Sequence, residues 1–234
     1  MKRTVTGCSA RIPRMGAPPF FTEGPAGQLY KAHLEHGTKT GVRQRIEALW
    51  ERYRPYCPDR HFLSDAREHF VERTWEMYFA CALLESGFKL KKPPSNGPDL
   101  LLAVDAAKLW IEAVAPGPGN GPDAVPGRDK RGYSIDGIWC GHPPPEESLI
   151  LRCVGALCTK LDKWQSYIAK GVVAPSDRLA IALSLGGVDE AFITSPDIPI
   201  VLKALFPIGP HYCRFQSVAP EQSPPGATRT AIWW

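Results

Sequence analysis

Residues 96–116, NGPDLLLAVDAAKLWIEAVAP, limit the fold of this chain more than any other stretch. Two apolar runs, 100–104 and 109–115, are short, rich in Leu, Ile, Val and Trp, and bounded by turn-forming residues. That combination predicts two buried strands, joined through Asp105-Ala106-Ala107 as a hairpin. Side chains alternate along a strand, so Lys108, Trp110, Glu112 and Val114 share one face, and Leu109, Ile111, Ala113 and Ala115 share the other. Glu112 therefore sits on a mostly apolar face, where an isolated carboxylate is costly unless it is paired or bound to a cation. The hairpin registers open to this sequence put Asp99 either opposite Glu112 or diagonal to it on the same face. Two carboxylates that close repel each other, and a divalent cation that takes hard oxygen ligands, such as Mg²⁺, turns the repulsion into coordination. An exposed edge position for Glu112, with Pro98-Asp99 as a turn opener, accounts for the same residues without a metal. The hairpin alone leaves both readings open.

Around this hairpin the periodicity predicts three helices and one further strand. Val42, Ile46, Leu49 and Tyr53 recur at helical spacing over residues 40–53, and Pro55 and Pro58 end that helix. A longer helix is expected from Ser64 as N-cap, with Asp65 and Glu68 in its first turn. Its buried stripe would be Ala66, Phe70, Met77, Cys81 and Leu84, with Gly87 closing it. Glu76 flanks that stripe, placed equally well for a cleft or for water. From Ser148 a third helix carries Leu151, Val154, Cys158, Leu161, Trp164 or Gln165, and Ile168 as its stripe, and Gly171 follows its end. Residues 178–185, RLAIALSL, read as a buried strand. Residues 1–38 read as an irregular arm, 116–134 as a mobile Gly/Pro-rich loop, and 216–228 as a disordered segment. The order helix, strand, strand, helix, strand gives a mixed α/β fold with an N-terminal helical addition. The expected organisation is an arm and helix over 1–60, a core over 61–215 and a flexible tail over 216–234.

At 234 residues, 44% hydrophobic, the chain can bury a sizeable core. Its formal charge of +4 is unevenly spread: residues 1–92 hold 16 Lys/Arg against 10 Asp/Glu, and residues 93–234 hold 12 against 14. A basic N-terminal half attracts phosphate backbones, although a solvated surface accounts for the charge equally well. Seven cysteines without a C-x-x-C pair predict reduced thiols. The basic start lacks an apolar segment, and no run of eighteen apolar residues follows, so a cytoplasmic protein with no membrane partner is expected.

Other groupings carry less. His33-Leu34-Glu35-His36 has the wrong spacing for a zinc helix, and Cys57 with His61 lacks two further ligands. Cys140-Gly141-His142 reads as loop rather than as nucleophile and base. Gly117-Pro118-Gly119-Asn120-Gly121 has no Lys-Ser/Thr after it and is no phosphate loop. Trp50, Trp75, Trp110 and Trp164 read as core.

A helix bearing Glu76, then Pro98-Asp99, twelve intervening residues, Glu112 on a strand, then a helix and a strand together resemble the PD-(D/E)xK nuclease superfamily. The likeness covers roughly residues 64–185. It implies a restriction-endonuclease-like α-β-β-β-α-β core with a mixed sheet flanked by helices. It also implies that Asp99 and Glu112 hold Mg²⁺ or Mn²⁺, with Glu76 completing or orienting the site. The implied partner is nucleic acid, DNA first, and a homodimer is left open. The family pattern asks for a lysine two residues after the second acid, where this chain has Val114. That lysine orients or deprotonates the attacking water and steadies charge on the phosphate, which Val114 cannot do. In some branches the lysine comes from the following helix, where Lys160 and Lys163 lie here. Lys160, flanking Leu161 on the expected stripe, is assigned the chemical role, its stem buried and its ammonium reaching the strand face. Lys163, further toward solvent, and Arg152, as a phosphate or carboxylate clamp, are the expected substrate contacts. The alternative is a nuclease fold that has lost its activity and serves as a binding or interaction module.

Overall fold

The computed structural model describes residues 18–35, 40–104, 107–121, 124–126, 132–135, 138–141, 145–188 and 198–206. Along the chain come helices α1 (Gln28–Glu35), α2 (Thr40–Tyr53), α3 (Phe62–Asp65) and α4 (Phe70–Glu85), then strands β1 (Leu90–Lys91), β2 (Leu100–Val104) and β3 (Ala107–Val114). A hairpin of β4 (Gly132–Ile135) and β5 (Ile138–Gly141) follows, then α5 (Glu146–Ala169), β6 (Arg178–Leu183) and α6 (Ile200–Leu205). The fold is mixed α/β, with a four-stranded sheet in the order β1-β2-β3-β6. β1 and β3 both run antiparallel to β2, while β6 lies parallel to β3. The chain reaches β6 through α5, as a parallel neighbour requires a long crossover.

The described residues form two compact units. One combines the chain up to Ala115 with Lys160–Gly187, and the other combines Pro116–Thr159 with the chain from Val188. In the first unit both sheet faces are buried. Leu100, Leu102 and Ile111 join Phe70, Met77, Ala80 and Cys81 of α4 in a cluster that also holds Phe20, Tyr30, Trp50, Tyr53 and Phe62. On the opposite face Leu101 and Trp110 pack with Trp164 and Tyr167 of α5 and with Val173. The continuous apolar runs of β2 and β3 follow from this two-sided burial.

Several expectations are met closely. α2 has the predicted span, the two central strands are present, and Gly87 closes α4 at φ +88°. There the Gly87 N–H donates to the Leu84 carbonyl at 3.2 Å and the Phe88 N–H to Leu83 at 3.0 Å, the paired bonds of a Schellman end.

Others are corrected. Part of the expected irregular arm is helix α1, and it buries Tyr30. The helix expected from Ser64 is broken, because the Arg67 carbonyl accepts from Gly27 N–H at 2.8 Å and His69 leaves helical geometry. Ser64 lies inside α3 and caps nothing. The stretch read as Gly/Pro loop contains β4, and Cys140 with Gly141 belongs to β5 rather than to a loop. The two residues of β1 are too few to show periodicity, and α6 lies beyond the expected strand 178–185, where the sequence pattern predicts no element.

On α5 the stripe is rotated. Leu149, Cys153, Trp164 and Tyr167 are buried, whereas Leu151 and Leu161 are each 49% exposed. Lys160 interrupts the true stripe with a charge, which shifts the apolar pattern one residue toward Leu161. The expected disordered segment at 216–228 and the hairpin residues Asp105-Ala106 lie outside the described residues.

Candidate functional site

The β2–β3 register pairs Leu100 with Ile111, so its next step sets Asp99 opposite Glu112. Of the two registers the sequence allows, this is the directly opposed one. Asp99 stands one residue before β2 on the segment Gly97-Pro98-Asp99. Pro98 is fully buried, the Tyr167 hydroxyl donates to the Gly97 carbonyl at 3.2 Å, and Asp99 Oδ2 accepts the Ala113 N–H at 2.8 Å. The short connection is thus held from above by α5 and from the side by β3.

Glu112 is fully buried, and its place on β3 faces α5, as Trp110 two residues earlier does. Two lysines one helical turn apart on α5 reach down to it. Lys160 Nζ lies 2.6 Å and Lys163 Nζ 3.2 Å from Glu112 Oε2. Lys160 also stands 3.7 Å from Asp99 Oδ2. Its side chain is 16% exposed, so the stem is covered, while Lys163 is 44% exposed and lies over the Tyr167 ring at 5.6 Å. The charge that looked out of place in an apolar strand has cationic partners from the next helix. Glu112 Oε1 is buried with no hydrogen-bond partner among the described residues.

The pair perturbs its members. Burial first, and then the negative charge of Glu112, raise the Asp99 carboxyl above its usual range, against the pull of Lys160, Lys163 and the Ala113 N–H. Burial and the same carboxylate raise the Tyr167 phenol, which stays protonated and able to donate.

Glu76 is brought in from the opposite side of the sheet. It is buried on α4, where the Tyr53 hydroxyl donates to Oε1 and Arg73 donates to Oε2 at 3.0 Å. Arg73 in turn pairs with Asp59 and Asp65, each at 2.9 Å. Burial, followed by the charge of Asp99, raises Glu76 to about 7, and the opposing Tyr53 and Arg73 contacts do not overcome it. Glu76 thus lies within electrostatic reach of Asp99. Asp99 and Glu112 form a pair, Glu76 is bound up with Tyr53 and Arg73, and among the described residues no three His, Cys, Asp or Glu side chains gather as a metal-holding group. α4 covers the Ile111 face of β3, whereas Glu112 points to the α5 face.

Arg152 belongs to the second compact unit, where its Nε donates to the Gly117 carbonyl at 3.1 Å. Val114 is half-buried at the end of β3, opposite Leu183, and its carbonyl accepts from Ser184. His33 Nδ1 bonds to the Leu29 carbonyl on its own helix. The described cysteines 57, 81, 153 and 158 are free thiols. Sequence reading gives Tyr53 only a place on the α2 stripe and passes over Arg73 and Tyr167. Arg73 could have been found, since it stands three residues before Glu76 on one helix face; Tyr53 and Tyr167 reach their partners only through tertiary packing.

Among the described residues no helix is long and apolar enough to cross a membrane. The chain matches no family model, no curated protein and no solved structure.

Proposed function

We propose that this chain is a metal-dependent phosphodiesterase on a restriction-endonuclease-like core, acting on nucleic acid with DNA as the first candidate. The observation that carries the reading is a lysine of α5, Lys160, seated on a directly opposed Asp99–Glu112 pair. It supplies from the following helix the cation that Val114 leaves out of the strand. With the β4–β5 hairpin, which forms its own two-stranded sheet, set aside as an insertion after β3, the element order α4-β1-β2-β3-α5-β6 supports the same reading, being the α-β-β-β-α-β order that the resemblance implies.

Two features of the carboxylate pair support a hard divalent cation as its ligand. Glu112 carries a buried oxygen without a partner among the described residues, and Asp99 stands opposite it with its own ionisation disfavoured by that neighbour. Asp99 and Glu112 would hold Mg²⁺ or Mn²⁺, with Glu76 acting from behind through charge. When bound, the ion supplies Lewis-acid polarisation of the scissile phosphate and a more acidic water. The protein's own residues do the rest. Lys160 and Lys163 balance the two carboxylates charge for charge, so an approaching phosphate meets no net repulsion. Lys160 orients the attacking water and steadies charge developing on the phosphate. Tyr167 positions Asp99 by holding Gly97.

The test is cleavage of plasmid and oligonucleotide substrates by purified protein with Mg²⁺ or Mn²⁺. Wild type is expected to cleave, Asp99→Ala and Lys160→Ala to lose cleavage, and Val114→Lys added to Lys160→Ala to restore part of it. A wild type that leaves every substrate intact, or an Asp99→Ala variant as active as wild type, overturns the reading.

A non-catalytic binding module on the same fold has one observation in its favour: both ammoniums already close on Glu112 Oε2, an ion pair complete without a metal. It is distinguished by melting temperatures that do not respond to divalent cations.

A further inference from the structure

The edge strand β1 bears on which substrate this centre would take. In the register, Lys91 pairs with Leu101, and Leu101 pairs with Trp110. Paired residues share a sheet face, and Glu112, two residues after Trp110, shares it too. Lys91 therefore lies on the face that carries Asp99 and Glu112, one strand outward. Asp99 is two residues along the chain from the β2 residue opposite Lys91. Strand spacing and rise then put the two backbones roughly 8 Å apart. Leu90 anchors β1 in the core while Lys91 is exposed, and the neighbouring Lys89 and Lys92 are exposed as well. Phe88, just before them, is 49% exposed at the end of α4. An edge strand with lysines is also a guard against unwanted strand pairing. Phe88 follows Gly87 in the helix end, where an apolar residue is usual, and its ring is half exposed beside the lysines. Cations interleaved with an open aromatic ring are what a single-stranded nucleic acid uses, the first for its phosphates and the second for base stacking.

We propose that Phe88, Lys89 and Lys91 form a rail for a single-stranded polynucleotide leading to the Asp99–Glu112 centre. The inference rests on the phosphodiesterase reading for its direction, but the rail itself is a binding site with its own test. It makes the substrate a polymer: the lysines hold phosphates flanking the scissile one, and Phe88 stacks on a base of any identity.

Fluorescence anisotropy of a labelled oligothymidine, in EDTA so that no cleavage occurs, measures the rail alone. Lys89→Glu with Lys91→Glu is expected to weaken binding roughly tenfold or more at low salt. The slope of log K against log salt should become shallower by about 1.4, because two phosphates are no longer neutralised. Phe88→Ala should weaken binding with the slope unchanged, and Lys31→Glu on α1, also exposed, should bind as wild type. The milder pair Lys89→Gln with Lys91→Gln, checked by thermal melting, guards against a folding defect and should flatten the slope by the same amount. Wild-type affinity and slope in both lysine pairs overturn the rail, as does a wild type that binds no oligonucleotide at low salt. Hydrolysis of bis(p-nitrophenyl) phosphate with Mn²⁺ reads the centre without the rail. It should be equal in wild type and the lysine variants. If that small diester is never cleaved while the anisotropy losses hold, the phosphodiesterase reading falls and the rail stands.

Discussion

Glu112 shows how a single residue can be both a burden and an organising feature. A buried carboxylate is tolerated here because two ammoniums meet it, and removing one member of such a set leaves the others uncompensated. Glu112→Gln is therefore expected to destabilise by about 3 kcal/mol in urea unfolding, since it leaves the mostly buried Lys160 without its nearest counter-charge. Adding Lys160→Met should recover part of the loss, giving a double variant less destabilised than the sum of the singles. Glu76 predicts a pH effect. Its folded value of about 7 lies above the ordinary 4.5, so the folded state favours the protonated form. The stability this contributes is complete below about pH 4.5 and is lost as pH rises through about 7, because the folded chain then holds a proton that the unfolded chain has released. Glu76→Gln should flatten the melting-temperature profile across that window. Relative to wild type it should gain at about pH 8 compared with about pH 5; an unchanged profile would show that Glu76 stays ionised throughout.

At the level of elements, α5 decides the site. It places Lys160 and Lys163 on the Glu112 face and Tyr167 on the segment before β2, so one helix supplies both the cations and a support for Asp99. The opposite helix, α4, ends where Gly87 turns the chain toward β1. That residue sits at φ +88° with no heavy atom beyond its own chain neighbours within 4 Å of where a Cβ would be. Gly87→Ala thus meets no clash and tests backbone conformation alone. It should cost about 1–2 kcal/mol, a fall of about 2–4 °C in melting temperature for each kcal/mol in a chain of this size. A larger fall would mean that the turn into β1, and with it Lys91, had moved.

For the whole molecule, the proposed cation site makes stability depend on divalent metal. At a hundredfold excess over its Kd, Mg²⁺ or Mn²⁺ bound only to the folded state should add about 2.7 kcal/mol. The rise in melting temperature should appear in wild type and vanish in Asp99→Asn; equal melting of the two at every metal concentration would leave Asp99 and Glu112 as an ion-paired structural device. Much of this architecture could be read from the residues alone. Local hydrophobic periodicity determined α2 and the two central strands, because short-range burial patterns depend only on neighbouring residues. The alternation of β3 likewise put Glu112 and Trp110 on one face, and the turn residues around Pro98 brought Asp99 into range. What needed three dimensions was every choice between two equally periodic answers. The stripe of α5 was displaced by Lys160, the break after α3 came from a carbonyl captured by distant Gly27, and Glu76 turned to Tyr53 and Arg73 because α4 covers the other side of the sheet. Periodicity names which side chains share a face; which partner that face meets is decided by packing between segments far apart in the chain, and a one-dimensional pattern holds no record of it.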